Sequence, residues 1–499
     1  MRNLLAWLDN PLLIKHIRTR LRRPMLVQSI VVLGAVTGMA VFWDIAAGTF
    51  PSEWLGYSNW IVQGVLLGLM GTNQVVSSVG SARESGILDF HRISPEEPRS
   101  VTLGFFLGAP IREYVLFLLT LPVTLLVMAA WVQPMKNVPL VDWFQGLIAV
   151  LLLSWLLQAV GMLSALTSAK ASKSWTGIQV VVVIAGLYLF GLVIPFLSRG
   201  FRGMDPAYEA WDIQYFGFEV PWALGLALFT VPLTFFALIA SVRKFRSERI
   251  PALSKLESLG FVTTAAVSLL GYFWGYRDTF IPFVYLLVLA GLIGSLSISP
   301  RAGEYGRGVR RAGRQGRRHL PFWDDLALGR VILGLICTVI LIAGTVGRAF
   351  LRNTISGVGG LGASTLSVPI AVLTVAVFGL GFQYFRLRSP GRAGSLMAMS
   401  IFLLWVVPGI LWGIVEATGL GSSYPMLPPI LAGISPWTGL AAISAMPSEE
   451  GRSYAQIAAL IPALGLPFLL NTLITSQHRR IDKEMRAAVD QKSEKNPLD

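Results

Sequence analysis

Apolar residues run along this chain in blocks of about twenty, cut by short polar stretches. Twenty apolar residues in a row make a helix long enough to cross the hydrocarbon of a bilayer, whereas barrel strands alternate and are half as long. The blocks predict spans at Met25–Ala46, Trp60–Val79, Ile111–Val132, Phe144–Leu166, Trp175–Leu197 and Val220–Val242. A second set is predicted at Leu259–Tyr276, Phe280–Ile298, Leu326–Ala349, Leu366–Phe385, Leu396–Val415 and Ile457–Thr475. The expected fold is therefore all-α, a polytopic transmembrane bundle of about twelve spans.

Loop lengths suggest a six-plus-six arrangement. Each half has its longest loop on one side between its second and third spans, Gly80–Pro110 and then Ser299–Trp323. Each has its longest stretch on the other side before its last span, Ser198–Glu219 and then Glu416–Gln456. Six spans per half implies a parallel repeat about the membrane normal. The expected organisation is an interfacial segment (residues 1–24), a first half (25–250), a second half (251–478) and a tail (479–499).

Composition supports a lipid solvent. Hydrophobic residues make up 54% of the chain and charged residues only 14%, where a soluble domain carries nearer a quarter charged. The formal charge of +14 is placed by topology. Arg18–Arg23, Arg83–Arg99, Lys170 and Lys173, Arg243–Arg249, Arg307–Arg318, Arg386–Arg392 and the tail all fall on one side of the alternation. The ratio is roughly four basic residues on that side to each one opposite, which puts both termini in the cytoplasm and the chain in the plasma (inner) membrane. No basic face with interleaved aromatics suggests a nucleic acid. The single cysteine, Cys337, allows no internal disulfide, and the four histidines have no ligand spacing, so neither metal nor cofactor is expected.

Four segments break the apolar pattern. Met1–Arg23 mixes leucines with basic residues and reads as a helix lying on the membrane surface. Ser81–Arg112 starts with Arg83-Glu84, offers Ile87, Leu88, Phe90 and Ile93 at helical spacing around Asp89, and stops at Ser94-Pro95. Such a short amphipathic helix is either a docking knob for a partner or a hairpin connection packed on the bundle. Pro300–Arg330 is rich in Gly and Arg and reads as a flexible basic loop, with contact to anionic head groups or a second docking role as the alternatives. Its Asp324-Asp325 pair reads as a cap for the span that follows. Glu416–Gln456, broken by five prolines, is a structured loop or a pair of re-entrant half-helices.

The second segment resembles a known pattern. Arg83-Glu84, Gly86-Ile87-Leu88, Ser94-Pro95 and Gly104-Phe105-Phe106 are similar in order to the loop of ABC-2 type transporter permeases. There the run is Arg-Glu, Gly-Thr-Leu, Thr-Pro and Gly-Lys-Leu. Asn10-Pro11 followed by Arg18–Arg23 is similar to that family's N-terminal elbow, and Ile434-Ser435-Pro436-Trp437 to its segment before the last span. The resemblance implies a permease subunit driven by a separate cytoplasmic ABC ATPase, with residues 83–95 as the coupling helix. Its path would be built from two halves as a pseudo-dimer, or from two copies.

No Gly-Lys-Ser/Thr phosphate loop occurs in the chain, so ATP hydrolysis is expected only in a partner and the chain itself is not expected to be an enzyme. A secondary transporter of twelve spans is the alternative. It is disfavoured because no ionisable residue stands at a predicted span centre. A membrane-embedded lipid or glycan enzyme is a third class, for which only Asp324-Asp325 offers a carboxylate pair.

Overall fold

The structure is a computed structural model. It describes residues 10–48, 50, 52–131, 140–167, 212–248, 250–274, 280–317, 320–352, 363–389, 391–403, 407–418, 430–431 and 449–495. It is almost wholly helical, apart from a hairpin of β1 (Asp212–Tyr215) and β2 (Phe218–Pro221). Its turn takes left-handed backbone at Phe216 and Gly217, the geometry that joins two strands by two residues. Among the described residues, six helices are long and apolar enough to cross a membrane, and up to eight if each of two bent pairs counts as one span. The chain is a multi-pass membrane protein.

Contacts divide the chain into two compact units. One comprises residues 1–213 and 218–252, the other 214–217 and 253–499.

The first unit opens with α1 (Pro11–Arg20) and α2 (Arg23–Ala46), followed by α3 (Glu53–Gly64), a π-helical turn (Val65–Gly71) and α4 (Thr72–Glu84). Short helices α5 (Ile87–Ile93) and α6 (Pro98–Gly108) lead to the long α7 (Ile111–Trp131), α8 (Leu140–Thr167) and α9 (Trp222–Arg246). Asn10 starts α1, accepting from the Leu12 and Leu13 amides at 3.0 and 3.3 Å with Pro11 as the first helical residue. The core of the unit runs from Leu12 through Val75, Val79, Phe105 and Met162 to Phe245. Within the π segment the Leu67 carbonyl accepts from Gln158 Nε2 at 3.0 Å.

The second unit holds α10 (Lys255–Phe273), α11 (Phe280–Ser297), α12 (Ala302–Arg314), α13 (Arg330–Arg352) and α14 (Ala363–Arg388). These are followed by α15 (Ala393–Ile401), α16 (Val407–Ala417) and α17 (Glu449–Lys495). Here α14 packs along α17, while α10, α11 and α13 pack on one another.

The expected twelve spans meet the structure unevenly. Trp175–Leu197 lies outside the described residues. Trp60–Val79 is carried by α3, the π turn and α4, while Leu396–Val415 is carried by α15 and α16 with 404–406 undescribed between them. Ile457–Thr475 is one stretch of the 47-residue α17.

Two local readings are corrected. Residues 302–314 form a helix rather than a flexible loop, because Glu304 bonds back to the Arg301 amide at 2.8 Å and Tyr305 is buried. Asp324 and Asp325 do not cap the next span, which starts only at Arg330. Asp324 accepts from the Leu326 amide at 3.0 Å, and Asp325 reaches the Lys255 amide at the start of α10, 3.4 Å away.

Candidate functional site

The segment between α4 and α6 gathers most of the chemistry the sequence singled out. Gly86 ends α4 in left-handed backbone, φ 73°. A side chain there would be strained, and the glycine lets the chain turn without a break in hydrogen bonding. The Gly86 amide donates to the Arg83 carbonyl at 3.2 Å, and its own carbonyl accepts from Asp89 and Phe90. Two turns later Ser94 is extended, as the residue before Pro95 must be. Its hydroxyl donates to the His91 carbonyl at 3.2 Å and accepts from the Glu96 amide at 3.3 Å. His91 Nδ1 meets Glu96 Oε2 at 3.0 Å across the same turn. The short α5 is thus closed at both ends by its own local bonds.

Its faces differ from the expected ones. Leu88 is 2% exposed and belongs to the unit's core, and Ile87 packs against that core. Leu88 is therefore an anchor to the protein's own interior, not an outward-facing contact. The outward apolar residues are Phe90 at 64% and Ile93 at 84% exposure. Asp89 is exposed and ion-pairs with Arg92 on the same helix. Glu84, Gly86 and Pro95 are exposed around this patch.

Arg83 is half-buried and held by Glu248 Oε1 at 3.2 Å and by the Ala165 carbonyl at 3.4 Å, among its contacts. Arg92, which sequence reasoning did not assign to the site, is the central clamp. It donates to the Phe245 and Lys244 carbonyls at 3.2 and 3.4 Å, at the end of α9, and pairs with Glu248 at 3.4 Å. These carbonyls are among the last four of a helix, which have no partner inside it, and a cation there also meets the negative end of the helix dipole. Glu248 bridges both arginines from about 160 residues away in sequence. No local pattern could have revealed it.

Beside this segment α1 lies across α6. A Cβ added at Gly104 would fall 2.7 Å from Leu12 Cβ, and one at Gly108 would fall 3.1 Å from His16 Cβ. Two glycines one turn apart thus open a groove that seats α1. Asn10 Nδ2 closes the contact by donating to the Ser100 carbonyl at 2.6 Å. His16 is buried against Phe105, ring centroids 5.5 Å apart. Burial first, then Arg20 and Lys15, push its imidazole down to about 4.

At the bend between α6 and α7, Glu113 is wholly buried and its Oε1 pairs with Arg112 at 2.7 Å. Arg20 donates to Ser78 at 3.0 Å. Burial lowers its guanidinium from the ordinary value, against the pull of Glu113. Among the described residues no three His, Cys, Asp or Glu side chains converge as metal ligands.

No protein-family model, curated protein or solved structure matches this chain.

Proposed function

We propose that this multi-pass chain is the membrane-spanning permease subunit of an ATP-driven transporter of the ABC-2 type, with α5 as the helix that docks a separate cytoplasmic ATPase. The observation that carries the reading is the build of α5 itself. It is a two-turn helix tied rigidly to the bundle through Leu88 and Arg92, yet it turns Phe90 and Ile93 outward between exposed charges. An apolar centre with a charged rim is the anatomy of a docking anchor. The clamp onto α9 means that force applied to the anchor reaches a long apolar helix without slack. The order of the Arg-Glu, Gly-x-Leu and Ser-Pro motifs, and α1 seated beside them, agree with the resemblance. Both termini and α5 are then cytoplasmic, the membrane is the plasma (inner) membrane, and the whole chain has about twelve spans in a six-plus-six repeat.

The test is co-purification. The chain is taken from its native membranes in mild detergent, as wild type and as the Phe90→Ala/Ile93→Ala variant, at equal membrane levels. ATP hydrolysis should accompany the wild type through a second column and be at least tenfold lower with the variant, since central anchors carry about 2 kcal/mol or more each. Hydrolysis by the isolated polypeptide would end the proposal, and so would a variant that keeps its ATPase.

One observation favours a second reading, an ion-coupled secondary transporter: the enclosed carboxylate of Glu113. Uptake into proteoliposomes driven by a proton gradient, with no ATPase present and abolished by Glu113→Gln, would select it.

A further inference from the structure

The α12 helix has two unlike faces. Tyr305, Gly308 and Ala312 are buried within the second unit. A Cβ at Gly308 would meet Leu320 and Leu326, each at 2.9 Å, so the chain that follows lies directly on the helix. The other face carries Arg307, Arg310, Arg311 and Arg314, all exposed, at the i, i+3, i+4, i+7 spacing of a single stripe. Arg317 continues it past the helix end. Arg311 pairs with Asp324. The guanidinium groups of Arg307, Arg310, Arg314 and Arg317 have no hydrogen bond or ion pair among the described residues. Glu304, the one acid of the helix, is buried and turned to its own backbone.

At the C-terminal end of the stripe is a cleft of about 220 Å³, with Arg311, Gln315, Arg317 and Asp324 as its polar groups and Leu320 and Pro321 beneath. Phe322 and Trp323 follow at its edge, both exposed, with their rings in edge contact at 4.8 Å.

Position decides what this surface meets. The apolar α11 ends at Ser297 and α12 turns away from it by 57°. The next apolar helix starts at Arg330. The segment is therefore tethered at both ends to one surface of the bilayer. Four unpaired arginines cannot enter hydrocarbon. Exposed aromatics beside them belong at head-group depth. Lipid phosphates lie at that depth and supply the missing negative charge. A zwitterionic head group brings an ammonium that the arginines repel.

We propose that the α12 arginine stripe and the cleft at its end bind the head group of an anionic phospholipid. The phosphate accepts from Arg317 and Gln315 in the cleft, Arg311 is shared with Asp324, and Arg307, Arg310 and Arg314 hold neighbouring head groups. Lipid binding here does not depend on an ATPase docking at α5.

The full-length chain, delipidated in detergent, is offered equal phosphatidylglycerol and phosphatidylcholine, and bound lipid is counted by native mass spectrometry. The wild type should prefer phosphatidylglycerol by about fivefold or more, the effect of one well-placed basic residue at a charged leaflet. The variant Arg307→Gln/Arg310→Gln/Arg314→Gln/Arg317→Gln should bind both equally. Lysine at the same four positions should keep the preference, and so should removal of four charges from the tail by Arg480→Gln/Lys483→Gln/Lys492→Gln/Lys495→Gln. If the fourfold glutamine variant does not elute as wild type does, Arg314→Gln/Arg317→Gln carries the same comparison with a partial loss. A glutamine variant that keeps the preference overturns the site. Equal loss in the tail control overturns it as well, since net charge alone would then be read. Displacement of the lipid by excess inorganic phosphate would assign the cleft to a free anion instead. Loss of a co-purifying ATPase with lipid binding unchanged would assign the stripe to a protein.

Discussion

Leu88 and Phe90 stand two positions apart on α5, and their side chains do opposite work. Leu88 fills the unit's core, so Leu88→Ala leaves a cavity and should cost about 2–5 kcal/mol of stability, seen as a lowered melting temperature of the purified chain. Phe90→Ala, at an exposed site, should leave the melting temperature within about a degree or two of wild type. A Leu88→Ala protein as stable as wild type would show that α5 is not tied to the bundle. His16 adds a pH dependence. Its imidazole is held down to about 4 against an ordinary 6.5. Between those values the unfolded chain takes up a proton that the docked helix refuses, so stability rises with pH across this window and is lost as pH falls through it. The melting temperature should therefore drop between about pH 7 and pH 5, and His16→Gln should remove most of the drop. An undiminished drop in that variant would place the titrating group elsewhere.

Among the elements, α1 depends on α6 having no side chain at two positions. Gly104→Leu would drive a branched side chain into Leu12 and Asn10, an overpacking worth about 1–3 kcal/mol. Amide exchange across residues 11–20 should speed up at least tenfold while α8 and α9 stay protected. Unchanged protection of α1 would mean that the helix does not rest on this glycine. Such elements were legible to different depths in the sequence. Long apolar runs such as α8 and α9 stood out because one strong signal, hydropathy, covers twenty residues. The Asn10 cap of α1 was not read, since Met1–Arg23 was expected as one surface helix and Asn10-Pro11 entered only through the resemblance. The stop of α5 at Ser94-Pro95 was legible because the limit a proline sets on the residue before it is local chemistry. The inward turn of Leu88 was not, since a seven-residue helix has too few positions for periodicity to tell which apolar face is covered. Glu248 and the Arg92 clamp depend on pairing across the fold, which spacing does not encode. The helical state of 302–314 was hidden by its glycines, poor helix formers in isolation, although its arginines and buried positions already alternate at helical spacing.

For the whole molecule, orientation is the next quantity to measure. In a Cys337→Ala background, single cysteines at Ala47 and at Glu97, both exposed, are treated with an impermeant thiol reagent on intact cells. The charge bias predicts labelling at Ala47→Cys and protection at Glu97→Cys until the cells are opened; the reverse pattern would invert the chain. The last helix gives that orientation a mechanical meaning. At 47 residues, α17 is about 70 Å long, more than twice the thickness of a bilayer's hydrocarbon. Its far half packs on α12, where a Cβ added at Gly306 would fall 3.3 Å from Met485, and runs on beyond it. A rod so built is a lever with its fulcrum at the membrane surface. With Ile457–Thr475 as the span, a tilt of about ten degrees within the bilayer sweeps an arm of about 30 Å, from Thr475 to Lys495, through some 5 Å at its tip, so a small rearrangement among the spans becomes a larger displacement in water.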